Sequence, residues 1–197
     1  MRTTLRRTLA ASATTATTVL GLTMLTATPA HAATDARITT ITHAGSGCES
    51  TTTTTDIDPT GTKATLTFNN YTAQVGPGIP ITNSARNCRV ILGVLMPTLR
   101  NLTATATHST YCKLEQGVQG WSRSSVRAGV DVVPTTVSET FTGPREDQCD
   151  VSASSTSALP LLGPTNVQLY SELRVDNPAN RKHSGIMITE VMVVQLS

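Results

Sequence analysis

Aromatic rings are scarce: one Trp, three Tyr and two Phe in 197 residues. A deep sugar-cleaving groove lined by rings is therefore not expected. Charge is scarce as well, with Asp, Glu, Lys and Arg at 14%. The formal net charge of +2 is carried by Arg2, Arg6 and Arg7. Beyond residue 32 the chain holds 12 basic and 13 acidic residues, a net of −1. That composition offers no basic field for a phosphate backbone, so nucleic acid is not an expected partner. No C-x-x-C pair occurs, and no His stands at ligand spacing from a Cys, so neither a metal nor another cofactor is expected. There is no G-x-S-x-G elbow. No apolar run of about 18 residues follows residue 32, which argues against a membrane span there. Outside the first 32 residues no window of eleven or more has helical period.

What is present begins with a secretory leader. Arg2, Arg6 and Arg7 form a basic start, Leu9 to Leu25 is uncharged and apolar, and Ala30-His31-Ala32 supplies the small-x-small pattern read by a signal peptidase. Residues 1–32 are expected to be removed on export, leaving a secreted, extracellular, monomeric protein with no membrane attachment. A retained anchor is the alternative, disfavoured by the many Thr and the nearby cleavage pattern. Export permits disulfides. The four cysteines, Cys48, Cys88, Cys112 and Cys149, form an even set that favours two bridges. Three pairings are open. Pairing neighbours, Cys48 with Cys88 and Cys112 with Cys149, closes loops of about 40 residues, each stabilising by roughly 4 kcal/mol in the chain-entropy model.

Hydrophobic periodicity in the remainder is that of strands. Residues 33–45 read as a short polar lead-in to a domain at 46–197. Thr51–Thr55 suits an exposed strand because Thr is β-branched. Asp58-Pro59-Thr60-Gly61 is a turn, and Lys63–Phe68 alternates with Leu66 and Phe68 on one face. Arg89–Met96 is apolar almost throughout, as in a buried central strand ended by Pro97. Leu102, Ala104 and Ala106 alternate with Thr103, Thr105 and Thr107. Strand character returns at Val118–Val126 and at Val130–Phe141, where Pro134 forces an edge or a break. Val167, Leu169, Leu173 and Val175 share one parity. Ile186, Ile188, Met192 and Val194 share another, and the two runs read as paired strands joined by the polar loop Asp176–Gly185. About eight short strands predict an all-β fold, an antiparallel β-sandwich stapled by disulfides.

Several stretches carry a resemblance to a known family. They are Gly45-Ser46-Gly47-Cys48, Asn70 to Gly78 (NYTAQVGPG), Ser84 to Cys88 (SARNC), Gly117-Val118, Phe141 to Pro144 (FTGP) and Asn177 to Gly185 (NPANRKHSG). In this order they resemble DUF4360, small secreted proteins of unknown function, over nearly all of the mature chain. The resemblance implies secretion and no assigned activity. Its GSGC and NC cysteines correspond to Cys48 and Cys88, which supports that bridge. The second pair that many members carry near the C-terminus is absent, a departure from the family pattern that suggests a second bridge relocated to Cys112 and Cys149.

No recognisable catalytic constellation stands out. His43, His108 and His183 follow the leader, and Ser and Thr are abundant enough to place a hydroxyl near any of them. His108 continues the Leu102–Ala106 parity and is expected to be a satisfied, half-buried histidine; His183 falls in a solvated loop. Asp56 with Asp58, and Glu146-Asp147 with Asp150, are small acidic clusters that read as solvated turns rather than cation sites. Candidate binding residues are Trp121 and Tyr111, as platforms for a sugar ring or a partner protein unless they fill the core. Gln74, Gly76, Pro77 and Gly78 are candidates too, in a loop that otherwise serves as a tight crossover. Asn70-Tyr71-Thr72 and Asn101-Leu102-Thr103 match the glycosylation pattern, the second within an expected strand. The expected function is non-catalytic binding of an extracellular polysaccharide or protein. The alternatives are a secreted hydrolase, or a protease inhibitor using Gln74–Pro80.

Overall fold

A computed structural model describes residues 36–129, 132–177 and 182–197. The expected leader lies outside these residues, as do Val130 and four residues of the Asn177–Gly185 stretch. Among the described residues there are twelve strands and one 3-10 turn, at Ile81–Asn83. Sheet A has five strands in the order β1 (Arg37–Ala44), β5 (Ala85–Arg100), β11 (Leu161–Asp176), β7 (Gln119–Ala128) and β8 (Thr135–Thr142). Sheet B runs β10 (Val151–Thr156), β6 (Thr103–Leu114), β12 (Gly185–Leu196), β3 (Lys63–Phe68) and β2 (Thr53–Ile57). Within it β4 (Thr72–Val75) lies along β12, and β9 (Arg145–Gln148) along β6. Every pairing is antiparallel.

The inward faces of the two sheets make one core. Alternation decides which side chains enter it, because successive strand residues point to opposite faces. In β6, Ala104, Ala106, His108, Thr110, Cys112 and Leu114 are buried while the intervening residues are not. In β5 the inward set is Val90, Leu92, Val94 and Met96. Both neighbour disulfides form: Cys48–Cys88 with Cα atoms 5.4 Å apart, and Cys112–Cys149 at 5.9 Å. The fold is thus the all-β, two-sheet, doubly bridged arrangement expected from the sequence.

Several local expectations are corrected. The segment taken as a lead-in is β1, an edge strand paired with β5, with Ala36 and Ile38 buried. Pro97 does not end β5. It sits exposed where the register against β11 slips between Leu161 and Gly163, so no ladder N–H is demanded of it. β11 and β12 are not partners: β11 lies between β5 and β7 in sheet A, β12 between β6 and β3 in sheet B. The inward residues of β12 are Met187 and Thr189, then Met192, Val194 and Leu196. An irregularity between Thr189 and Val191 exchanges the faces, so Ile186 and Ile188 point outward and only half of the expected parity holds. Asn101 lies in the turn between β5 and β6 rather than in a strand.

The strand ends Ala44, Leu114, Thr142 and Asp176 and the strand starts Ala85, Gln119 and Gly185 lie at one end of the sandwich, because their strands pair antiparallel in those registers. Described residues of the stretches that carry the family resemblance are packed against one another there. The Gly47 N–H donates to the Asn87 carbonyl at 2.8 Å, and the Asn87 N–H to Ser46 Oγ at 3.2 Å. A Cβ on Gly47 would stand 2.2 Å from the Tyr71 ring, so only glycine lets the buried Tyr71 ring lie against this backbone. Gly143 donates to the Val118 carbonyl at 2.9 Å, and a Cβ on Gly143 would strike the Glu115 carbonyl.

Candidate functional site

The same end carries an open cleft of about 680 Å³. One wall is the β4–β5 connection, through Val75, Gly76, Ile79, Pro80 and Ile81. The other is the end of β11 and the start of β7, through Arg174, Asp176 and Gln119. Ile81 is 80% exposed, an aliphatic side chain held out over the cleft. The connection is shaped by its glycines. At Gly76 φ is +155°, and a Cβ there would meet Ser184 Oγ at 2.8 Å; Gly78 takes φ +78° in open space. The Ile79 N–H donates to the Gly76 carbonyl at 3.1 Å and closes the turn. Behind it, Arg86 braces the 3-10 turn by donating to the Thr82 carbonyl and to Asn83 Oδ1.

Gln119, Arg174 and Asp176 also border a second depression of about 380 Å³ on the outer face of sheet A, and Trp121 lies in it. Strand register explains the grouping. Trp121 of β7 stands opposite Arg174 of β11 and Thr140 of β8, so an indole is flanked by hydrogen-bonding groups on both sides. Trp121 is half-buried: it is neither a core plug nor a free ring. Arg174 Nε pairs with Asp176 at 2.8 Å. The Tyr170 hydroxyl donates to Glu172 at 3.3 Å, and burial followed by the nearby Glu172 charge pushes the phenol up from its ordinary value. Neither depression is lined by Ser, Cys or His.

Two candidates from different parts of the sequence thus meet. The loop and Trp121 line adjoining depressions that have Gln119, Arg174 and Asp176 in common, while of the loop candidates Gln74, Pro77 and Gly78 do not line the cleft and only Gly76 does. Tyr111 belongs elsewhere. It lies on β6 in sheet B, opposite Gln148 and Ile188, with its hydroxyl donating to Glu146 at 2.9 Å. That bond raises the Tyr111 phenol and, with Lys113 at 3.1 Å, lowers the Glu146 carboxyl. Arg174, Asp176 and Ile81 were missed by sequence reasoning. The outward parity of Arg174 and Asp176 against buried Leu173 and Val175 was the available signal.

The remaining chemistry-bearing residues are structural. His108 is buried between the sheets, with Nε2 2.9 Å from Ser124 Oγ and Nδ1 3.4 Å from Ser171 Oγ. Ser171 in turn accepts the Tyr71 hydroxyl at 2.8 Å. Because Tyr71 donates to Ser171, the Ser171 proton is free to turn toward Nδ1, which leaves the imidazole proton on Nε2 for Ser124. Burial lowers His108 to about 4 and holds the ring neutral. His43 Nδ1 contacts the Cys48 carbonyl at 2.9 Å, and His183 stands 3.4 Å from Glu115. Asp58 closes its turn by accepting the Lys63 N–H at 2.7 Å and the Thr60 hydroxyl, which lowers its carboxyl. Asp150 accepts the Thr110 N–H at 2.9 Å where β9 gives way to β10, and Asp147 pairs with Arg145. Among the described residues no group of three or more His, Cys, Asp or Glu is placed to hold a metal.

Comparison with known proteins places this architecture in a family. The family model DUF4360, a domain of unknown function, matches residues 34–197, and the chain belongs to that family. An uncharacterized secreted protein of Arthroderma benhamiae is 29% identical over 105 residues, which are 53% of this chain and 43% of that relative; the match spans less than half of the relative's length. Among solved structures, TmCBM61 in complex with beta-1,4-galactotriose aligns with a TM-score of 0.33 at 10% identity, covering 80% of this chain and 89% of that one. TmCBM27, a carbohydrate-binding module described for specific mannan recognition, aligns with a TM-score of 0.33 at 11% identity, covering 81% and 98%.

Proposed function

We propose that this DUF4360 chain is an exported, non-catalytic binding protein that holds an extracellular polysaccharide in the cleft between the Val75–Ile81 connection and Trp121. The observation that carries the reading is the indole standing between Arg174 and Thr140, with Gln119 and Asp176 at the mouth of the adjoining cleft. A ring face takes the apolar face of a sugar, and the surrounding amide, hydroxyl and charged groups take its hydroxyls. The lining holds no Ser, Cys or His, its carboxylates Glu172 and Asp176 are engaged by Tyr170 and Arg174, and His108 is sealed in the core, all of which favour binding over hydrolysis. The basic start and Ala30-His31-Ala32 pattern of residues 1–32 fit export, and a bridged two-sheet body suits an oxidising exterior. No helix among the described residues is long and apolar enough to cross a membrane.

The test is co-sedimentation of oxidised residues 33–197 with a panel of insoluble polysaccharides. Binding to at least one polymer, reduced tenfold or more in Trp121→Ala and unchanged in Tyr111→Ala, is the expected result. No sedimentation with any polymer would turn the reading toward a protein ligand. The exposed Ile81 favours that second reading, and Ile81→Ser should then abolish capture of a partner from culture supernatant.

A further inference from the structure

The outer face of sheet A concentrates charge that the composition conceals. Along β7 the residues outward of the core are Trp121, Arg123, Ser125 and Arg127, spaced by about 6.7 Å per pair of residues. Register sets Arg123 opposite Glu172, Ser125 opposite Tyr170, and Arg127 opposite Gln168; Tyr170 in turn faces Arg89 on β5. Arg89 donates to Gln168 at 3.3 Å. Arg123 and Arg127 make no ion pair or hydrogen bond among the described residues, and their Nε atoms are covered and without a partner. Two guanidinium groups are therefore held against the sheet outside any ion pair, Glu172 across from Arg123 being taken by the Tyr170 hydroxyl, in a chain whose exported part has a net charge of −1.

Building on the proposed polysaccharide reading, we propose that the ligand is an acidic polysaccharide bearing carboxylates, a polyuronate. It would run from Trp121 along β7, with its carboxylates taken by Arg123 and Arg127. A guanidinium offers parallel N–H donors that match a carboxylate, and its cost of desolvation is already met where the side chain is partly covered. Glu172 and Asp176 on the same face accept sugar hydroxyls, which a polyuronate offers on each unit beside its carboxylate and a phosphodiester backbone does not. That distribution favours a glycan with both hydroxyls and carboxylates over a nucleic acid.

Binding of the oxidised mature protein to polygalacturonate, to fully methyl-esterified pectin and to a single-stranded DNA oligonucleotide tests this by affinity electrophoresis. Esterification removes the charge and keeps the backbone. Expected are at least tenfold tighter binding to polygalacturonate than to the ester, weakening with salt, and at least a tenfold loss in the Arg123→Gln, Arg127→Gln double variant at unchanged melting temperature. Equal binding of both pectins, or tightest binding of the oligonucleotide, overturns the proposal. Polysaccharide binding that depends on Trp121 and is indifferent to Arg123 and Arg127 overturns it as well, yet leaves the function above standing. Failure to bind any glycan removes both.

Discussion

His108 shows how a residue type that invites catalysis is spent on the interior. Its ring bridges sheets through Ser124 of β7 and Ser171 of β11, and the neutral form is the one the fold accepts. The unfolded chain protonates near the ordinary value of 6.5 and the folded chain near 4. Between those values the unfolded state binds more protons, so this contribution is complete above about pH 6.5. It is lost as pH falls toward 4, amounting to about 3 kcal/mol. Urea unfolding at pH 7 and pH 4.5 should show the loss, and His108→Gln should flatten it. Gly47 is the second case: with its Cβ position 2.2 Å from the Tyr71 ring, Gly47→Ala should destabilise by about 1–3 kcal/mol in the same assay.

The elements differ in how far they were legible. β6 was readable because its strict alternation of Thr with Leu and Ala has a single explanation, one wet and one dry face. The apolar run of β5 hid an equally strict alternation, since Ile91 and Leu95 face outward as hydrophobes. β12 misled because its irregularity after Thr189 shifts the parity within an unbroken apolar stretch, and no local residue pattern announces it. Its consequence is measurable. Met187→Ala should cost roughly 2–5 kcal/mol, and Ile188→Thr under 1 kcal/mol, the reverse of what parity alone implies; thermal melts of the two variants decide it. The Cys48–Cys88 bridge joins the approach to β2 with the start of β5. Its double alanine variant should lose about 4 kcal/mol in denaturant unfolding.

At the scale of the whole molecule, most sheet neighbours are remote in sequence. β1 waits for β5, β5 for β11, and β6 for β12 before the sheets are complete. Such pairings close large loops before any contact rewards them, so stopped-flow refolding with disulfides intact should proceed in milliseconds to seconds rather than microseconds. The candidate site was half legible for the same reason. The glycine-rich loop and Trp121 announced themselves singly, through turn chemistry and rarity. That they border adjoining depressions depends on β7 and β11 lying side by side, with Trp121 and its partner Arg174 53 positions apart. Rarity has one further use. Trp121 is the sole tryptophan and stands half-buried within the proposed site, so nearly all emission excited at 295 nm would originate there. The protein thus carries its own optical reporter: a ligand covering the indole should shift or quench its fluorescence, and iodide quenching should report occupancy with no label attached.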